Sequence, residues 1–146
     1  MRRIKSIYIV GSLRNRKKVM KFANELRSHK FEVFDDWTAP GPDADLYLWK
    51  YYKQRGFAYQ EMVESLAAVN NSSFDLAHLE KADTAIMLAP CGRSAHLEIG
   101  WKSRTNPCFI LFDKVPERPD IMYRILKGNL FFDKDKLIAA LKKTKL

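Results

Sequence analysis

The sequence predicts a parallel α/β sandwich of about five strands. Three observations carry that reading. Segments rich in β-branched and aromatic residues alternate along the chain with segments of helical apolar period. The strand segments are continuous apolar runs, the pattern of a sheet covered on both faces. Polar stretches containing glycine or proline follow the strands, at the edge where parallel sheets bind ligands.

Each element has its own justification. Residues 4–11, IKSIYIVG, are β-branched and aromatic and end in glycine, which marks a buried strand. Residues 15–29 carry Val19, Met20, Phe22, Ala23 and Leu26 near a 3.6-residue period, an amphipathic helix with a basic outer face. FEVFD at 31–35 is a second strand. Residues 35–56 are rich in Pro, Gly, Asp and aromatic residues and show no clean period; a loop of that length is functional or partly helical. Residues 59–69 and 73–81 read as helices, and TAIMLA at 84–89 as the third strand. The helix over 94–104 takes Ser94 as its N-cap. CFILFD at 108–113 is the fourth strand. A short helix over 119–126, a weak fifth strand LFF at 130–132 and a helix over 134–143 follow. There is no internal repeat, and 146 residues suit one domain over 1–146.

Composition narrows the function. Hydrophobic residues at 47% and charged residues at 29% are a globular balance, which excludes a disordered chain. No apolar run approaches the ~20 residues of a membrane span, and the basic, apolar start is too short for a signal peptide. Two cysteines, Cys91 and Cys108, cannot staple a fold of this size, so a reduced cytoplasmic protein is the default. Neither they nor the scattered His29, His78 and His96 have metal-ligand spacing, and Cys91 reads as inert packing. Lys and Arg number 26 against 17 Asp and Glu, a net +9. Such a surplus draws anions, phosphorylated small molecules among them. Seven of the basic residues lie in the first 18 positions and Lys142, Lys143 and Lys145 near the other end, so nucleic acid is not the expected partner.

Three segments contain chemistry. GSLRN at 11–15 follows the first strand. Gly11 permits close approach to the backbone, and Ser12, Arg14 and Asn15 beside a helix start suit a phosphate or carboxylate; a plain turn with a surface arginine has the same pattern. In PCGRSAHLEIGW, 90–101, Ala95/Ile99 and Leu97/Trp101 are expected to bury two flanks. Glu98 lies one turn in, on the side of Ser94, as a dipole-stabilised carboxylate or as the surface partner of Lys102. Gly100 suggests tight packing. In FDLAHLEKAD, 74–83, Asp75 starts a helix and acts as a cap or an acid, while Asp83 closes a turn into the third strand. If Asp75 and Glu98 share a pocket, they form the two-carboxylate arrangement that breaks glycosidic bonds.

IYIVGSLRN, FDLAHLEKADTAIMLAPCGRSAHLEIGW, and CFILFD followed by PDIMYRI together resemble the nucleoside 2-deoxyribosyltransferase family over nearly the whole chain. The most specific part is Glu-Ile-Gly at 98–100, similar to the family's nucleophile motif. The resemblance implies a flavodoxin-like Rossmann fold, a homodimer or higher homo-oligomer with sites near subunit contacts, and no cofactor. It implies that Glu98 attacks C1′ of a deoxyribose and displaces the base, that Asp75 handles the proton on that base, and that Tyr8 orients Glu98. A second base or water then resolves the covalent intermediate. GSLRN is more similar to the first loop of the related 2′-deoxynucleoside 5′-monophosphate N-hydrolases, where Gly-Ser-x-Arg holds phosphate. Candidate substrate-binding residues are therefore Gly11, Ser12, Arg14, Asn15, Trp37, Arg93, Ser94 and Met122. Met122 and Tyr123 stand near the place of the family's C-terminal asparagine. The aromatic stretch 37–59 reads as a lid or wall over the base, or as a dimer patch. Transfer of 2-deoxyribose between bases is the first expectation. Hydrolysis of nucleoside monophosphates and a non-enzymatic nucleotide-sensing module are the alternatives.

Overall fold

The structure, a computed structural model, describes residues 1–40 and 44–146. Strands β1 (Ser6–Val10), β2 (Glu32–Phe34), β3 (Thr84–Leu88), β4 (Cys108–Leu111) and β5 (Leu130–Phe131) form one sheet in the order β2-β1-β3-β4-β5. Every neighbouring pair is parallel. This is the flavodoxin-like arrangement. From β1 the chain steps outward to β2, then crosses back to β3 and continues to β5. The loops leaving β1 and β3 therefore diverge and leave a crevice at the carboxyl edge.

The helices are α1 (Arg16–Ser28), α2 (Ala44–Gln54), α3 (Tyr59–Val63), α4 (Leu66–Lys81), α5 (Arg93–Ser103) and α6 (Lys134–Lys143). The period-2 alternation of the strands sorts the core into two layers. Ile7, Ile9, Ile86, Leu88 and Phe109 face α1 and α6, where Val19, Phe22, Leu26, Leu137 and Leu141 meet them. Tyr8, Val10, Ala85, Met87, Cys108 and Ile110 face the other way, toward Leu79 of α4 and Ala95 and Ile99 of α5. Tyr8 thus points at the layer that contains Asp75 on α4 and Glu98 on α5.

Several elements differ from the sequence-based reading. Residues 35–56 contain a 3-10 turn over Asp36–Thr38 and then α2; residues 41–43, inside the expected aromatic stretch, lie outside the described residues. The helices expected at 59–69 and 73–81 are re-divided. The break falls at residues 64–65, where Ser65 caps α4 by accepting from the Ala68 N–H at 3.3 Å. The Asn70–Asn71–Ser72–Ser73 run continues the helix, with the Ser72 hydroxyl donating back to the Val69 carbonyl. Asp75 is consequently mid-helix and caps nothing. Helix α5 begins at Arg93 with Gly92 in the N-cap position, so Ser94 is not its cap. The expected short helix at 119–126 is a 3-10 turn over Ile121–Leu126, capped by Asp120.

At the opposite, amino end of the sheet, Asp83 fastens β1 to β3. Its carboxylate accepts from the Lys5 and Ser6 N–H groups at 2.8 and 3.0 Å and pairs with Arg2 at 2.7 Å. Burial opposes its charge, but those donors outweigh burial and hold the carboxyl below its usual range. No described helix is long and apolar enough to cross a membrane.

Candidate active site

Three elements bring Tyr8, Glu98 and Asp75 together beside β1 and β3. Tyr8 lies inside β1 and is 1% exposed. Glu98 lies on α5 in the stripe Ala95, Glu98, Ile99, Lys102, which follows the i, i+3, i+4, i+7 rule and faces the sheet. Asp75 lies on α4 in the equivalent stripe with His78, Leu79 and Ala82. Both helices cover the same side of the sheet, and both deliver a half-buried carboxylate toward Tyr8.

The electrostatics of the three groups are coupled. Burial pushes the Glu98 carboxyl up to about 7; the Tyr8 hydroxyl, donating to it, works against that rise, and the charge of Asp75 adds to it. Burial, then the charges of Glu98 and Asp75, push the Tyr8 phenol far above its ordinary value. Tyr8 is therefore a permanent donor, and Glu98 changes charge near neutral pH. A carboxylate in this state reacts as a nucleophile once ionised, or moves a proton when protonated. The surface ion pair weighed for Glu98 is not formed. Lys102 is itself buried and donates to the Glu80 carbonyl at 2.9 Å.

Other parts of the sequence reading change as well. Leu97 is 76% and Trp101 53% exposed, so α5 buries one flank and not two. A side chain at Gly100 would meet open space, so tight packing does not explain this glycine. Gly11 is the tight position: a Cβ there would lie 3.0 Å from Val19 and 3.2 Å from Trp37. Its small size makes room for Val19 and the Trp37 indole.

Ser12 accepts from the Arg14 N–H at 3.3 Å and caps the turn over Leu13–Asn15. The Asn15 side chain donates to the Pro90 carbonyl at 3.1 Å and ties the first loop to the third. Arg14 is exposed, and with Asn15, Arg16, Lys17 and Lys18 it lines a shallow basic depression of about 290 Å³. Arg93 and Ser94 are exposed on the first turn of α5. Trp37 is anchored: its Nε1–H donates to the Ile9 carbonyl at 2.7 Å, and the ring packs against both core layers. Its ring is thereby tied to β1 and packed into the core rather than standing free at the surface. The exposed rings of the stretch are Tyr47, Trp49, Tyr51 and Tyr59. Met122 is exposed on the turn after β4; its neighbour Tyr123 lies 3.0 Å from His96 Nε2 instead.

Cys91 is half-buried, its thiol donating to the Leu88 carbonyl; burial pushes it up to about 11, so it remains a thiol. Among the described residues, no group of three or more His, Cys, Asp or Glu is arranged to hold a metal ion.

Sequence reasoning passed over His78. It stacks on Phe34 with centroids 4.1 Å apart, and Phe34 stacks on Tyr8 at 5.2 Å. The available signal was its spacing of three from Asp75, which puts both on one helix face. No family model matches the chain, and no curated protein sequence matches it.

Proposed function

We propose that the protein cleaves the N-glycosidic bond of a 2-deoxynucleoside and transfers the deoxyribosyl group to a second base through an ester on Glu98. The observation that supports this reading best is the meeting of Glu98, Asp75 and Tyr8 beside β1 and β3. In the reaction, the ionised Glu98 carboxylate attacks C1′ and the C1′–N bond breaks. Asp75 gives a proton to the departing base. The second base then attacks C1′, the ester bond breaks, Glu98 leaves as carboxylate, and the proton returns to Asp75. Tyr8 holds Glu98 in place by its hydrogen bond.

The basic depression favours a second reading, hydrolysis of a deoxynucleoside 5′-monophosphate. There Arg14 and its neighbours bind the phosphate and water replaces the second base. We also read the exposed apolar residues of α4 and α5, including Leu66, Val69, Leu97 and Trp101, as the face of a homodimer.

The test is to incubate the protein with each deoxynucleoside and each deoxynucleoside monophosphate, with and without a second base in excess, and to separate the products by chromatography. Transfer predicts a new nucleoside that appears only with the second base. Hydrolysis predicts free base from monophosphates in its absence. If no base leaves any substrate while one ligand raises the melting temperature, the protein is a binding module and the catalytic reading is wrong.

A further inference from the structure

Helix α4 is long but weakly held. Of its 16 residues only Leu79 is buried, while Leu66, Val69, Phe74 and Leu76 are exposed. One buried side chain fixes a helix at a point and leaves its rotation and tilt to other contacts. Near its end, Lys102 of α5 donates to the Glu80 carbonyl at 2.9 Å; along the turn that carries Asp75 the contacts are rings. The imidazole of His78 lies 4.1 Å from the Phe34 ring at an interplanar angle of 17°, and Phe74 leans on the same two rings at 4.4 and 5.9 Å. Phe34, at the end of β2, stacks in turn on Tyr8 at 5.2 Å and 24°. His78 Nδ1 is 2.8 Å from the Phe74 carbonyl, which can only accept, so that nitrogen carries the proton and the ring is held against its own helix. A continuous column of rings thus joins α4 to the strand that carries Tyr8. Asp75 lies between Phe74 and His78 in sequence, within the turn that the rings clamp.

We infer that His78 is a positioning residue: through its stack on Phe34 it sets where Asp75 stands relative to Tyr8 and Glu98. Its flat face does this work, so a phenyl ring should replace it and a methyl group should not. The catalytic consequence rests on the reading of Asp75 and Glu98 given above, but the positioning itself is a property of the unliganded protein. Displacing a reacting group by about 1 Å costs up to about a hundredfold in rate.

The experiment compares His78→Ala, His78→Phe and Phe34→Leu with the unaltered protein by two readouts. One is release of free base, divided into kcat and KM. The other needs no substrate: the titration of the Glu98 carboxyl, followed by carbon-13 NMR of labelled glutamate. With Asp75 displaced, its charge raises Glu98 less. His78→Ala should therefore lower the titration midpoint in the same direction as Asp75→Asn and by less, and reduce kcat ten- to a hundredfold with KM little changed. His78→Phe should restore both. Phe34→Leu, which keeps apolar volume at a partly buried site, should behave as His78→Ala and serves if that variant does not fold. An unmoved Glu98 midpoint in both His78→Ala and Phe34→Leu overturns the inference. So does a His78→Phe variant as impaired as His78→Ala, since the imidazole nitrogens would then matter and not the stack. If no substrate releases base, the proposed function fails while the titration still decides the role of His78.

Discussion

Replacing Glu98 by glutamine should stabilise the protein at alkaline pH and abolish turnover. Burial has pushed the carboxyl from an ordinary 4.5 to about 7, so the folded protein holds this proton more tightly than the unfolded chain. The sign follows from that difference. Below about pH 4.5 both states are protonated and Glu98 has no destabilising effect. As pH rises toward 7 the unfolded chain ionises first, and folded stability falls. Above 7 the folded protein carries the charge and the loss is complete. Each tenfold change in proton affinity corresponds to about 1.4 kcal/mol. The loss is about 2–3 kcal/mol once the solvent reaching this half-buried group is allowed for. Glutamine has nearly the same shape, cannot ionise and still accepts from Tyr8. Glu98→Gln should therefore match the unaltered protein near pH 4 and exceed it by about 2–3 kcal/mol at pH 8–9. For a chain of this size that is on the order of 5–10 °C in Tm. Differential scanning calorimetry of both proteins from pH 4 to 9 measures it. A difference that stays flat across that range would refute the claim that Glu98 is a buried, high-affinity acid. The same variant should lose several orders of magnitude in base release. Gaining stability while losing activity is what a strained reactive group predicts.

Other outcomes follow from the same geometry. Because the nucleophile must be ionised, kcat/KM should rise with pH through a midpoint near 7, and Asp75→Asn should move that rise to lower pH while slowing base release; an unshifted profile would remove Asp75 from the pair. Arg14→Ala should cost about 1.5–3 kcal/mol in kcat/KM on a monophosphate and little on the free nucleoside; equal losses would end the phosphate reading of the first loop. Asp83→Ala leaves the Lys5 and Ser6 N–H groups without their acceptor and should lower stability by about 2–4 kcal/mol in urea at pH 7, with base release unaffected in the folded fraction. Since that carboxyl is held below its usual range, its contribution is present at neutral pH and fades as pH falls below about 4.

The strands were legible because both faces of the sheet are covered, so their apolar runs needed no interpretation of period. Helix α6 was legible to the residue, since Asp133 accepts from the Asp135 and Lys136 N–H groups at its first turn. Helix α4 was misdivided because Asn and Ser usually mark a break, and here tertiary contact at Leu79 and the Ser65 cap override them. Helix α2 was hidden because its large residues are mostly exposed, leaving no stripe to detect. At the site, the acidic residues were visible as types, but their shared face was not. The Leu97/Trp101 pair read as a second buried flank beside Ala95/Ile99, which left the facing side of α5 undecided, and only the sheet's alternation shows that Tyr8 meets the Ala95–Glu98–Ile99–Lys102 stripe.

That alternation divides the labour of the molecule. Tyr8, Asp75 and Glu98 belong to the α4–α5 layer, while Ile7, Ile9 and the helices α1 and α6 form a chassis on the other side. An engineer can therefore treat the two layers as separate design problems. Repacking the α1–α6 layer, or fixing a tag or surface anchor on α6, should alter durability without altering chemistry. Substrate preference should be reprogrammed by changes to the opposite layer and to the loops at the carboxyl edge, the basic first turn of α1 included. A deletion of one residue in β1 would couple the two problems again, by turning Tyr8 into the chassis and an isoleucine into the crevice.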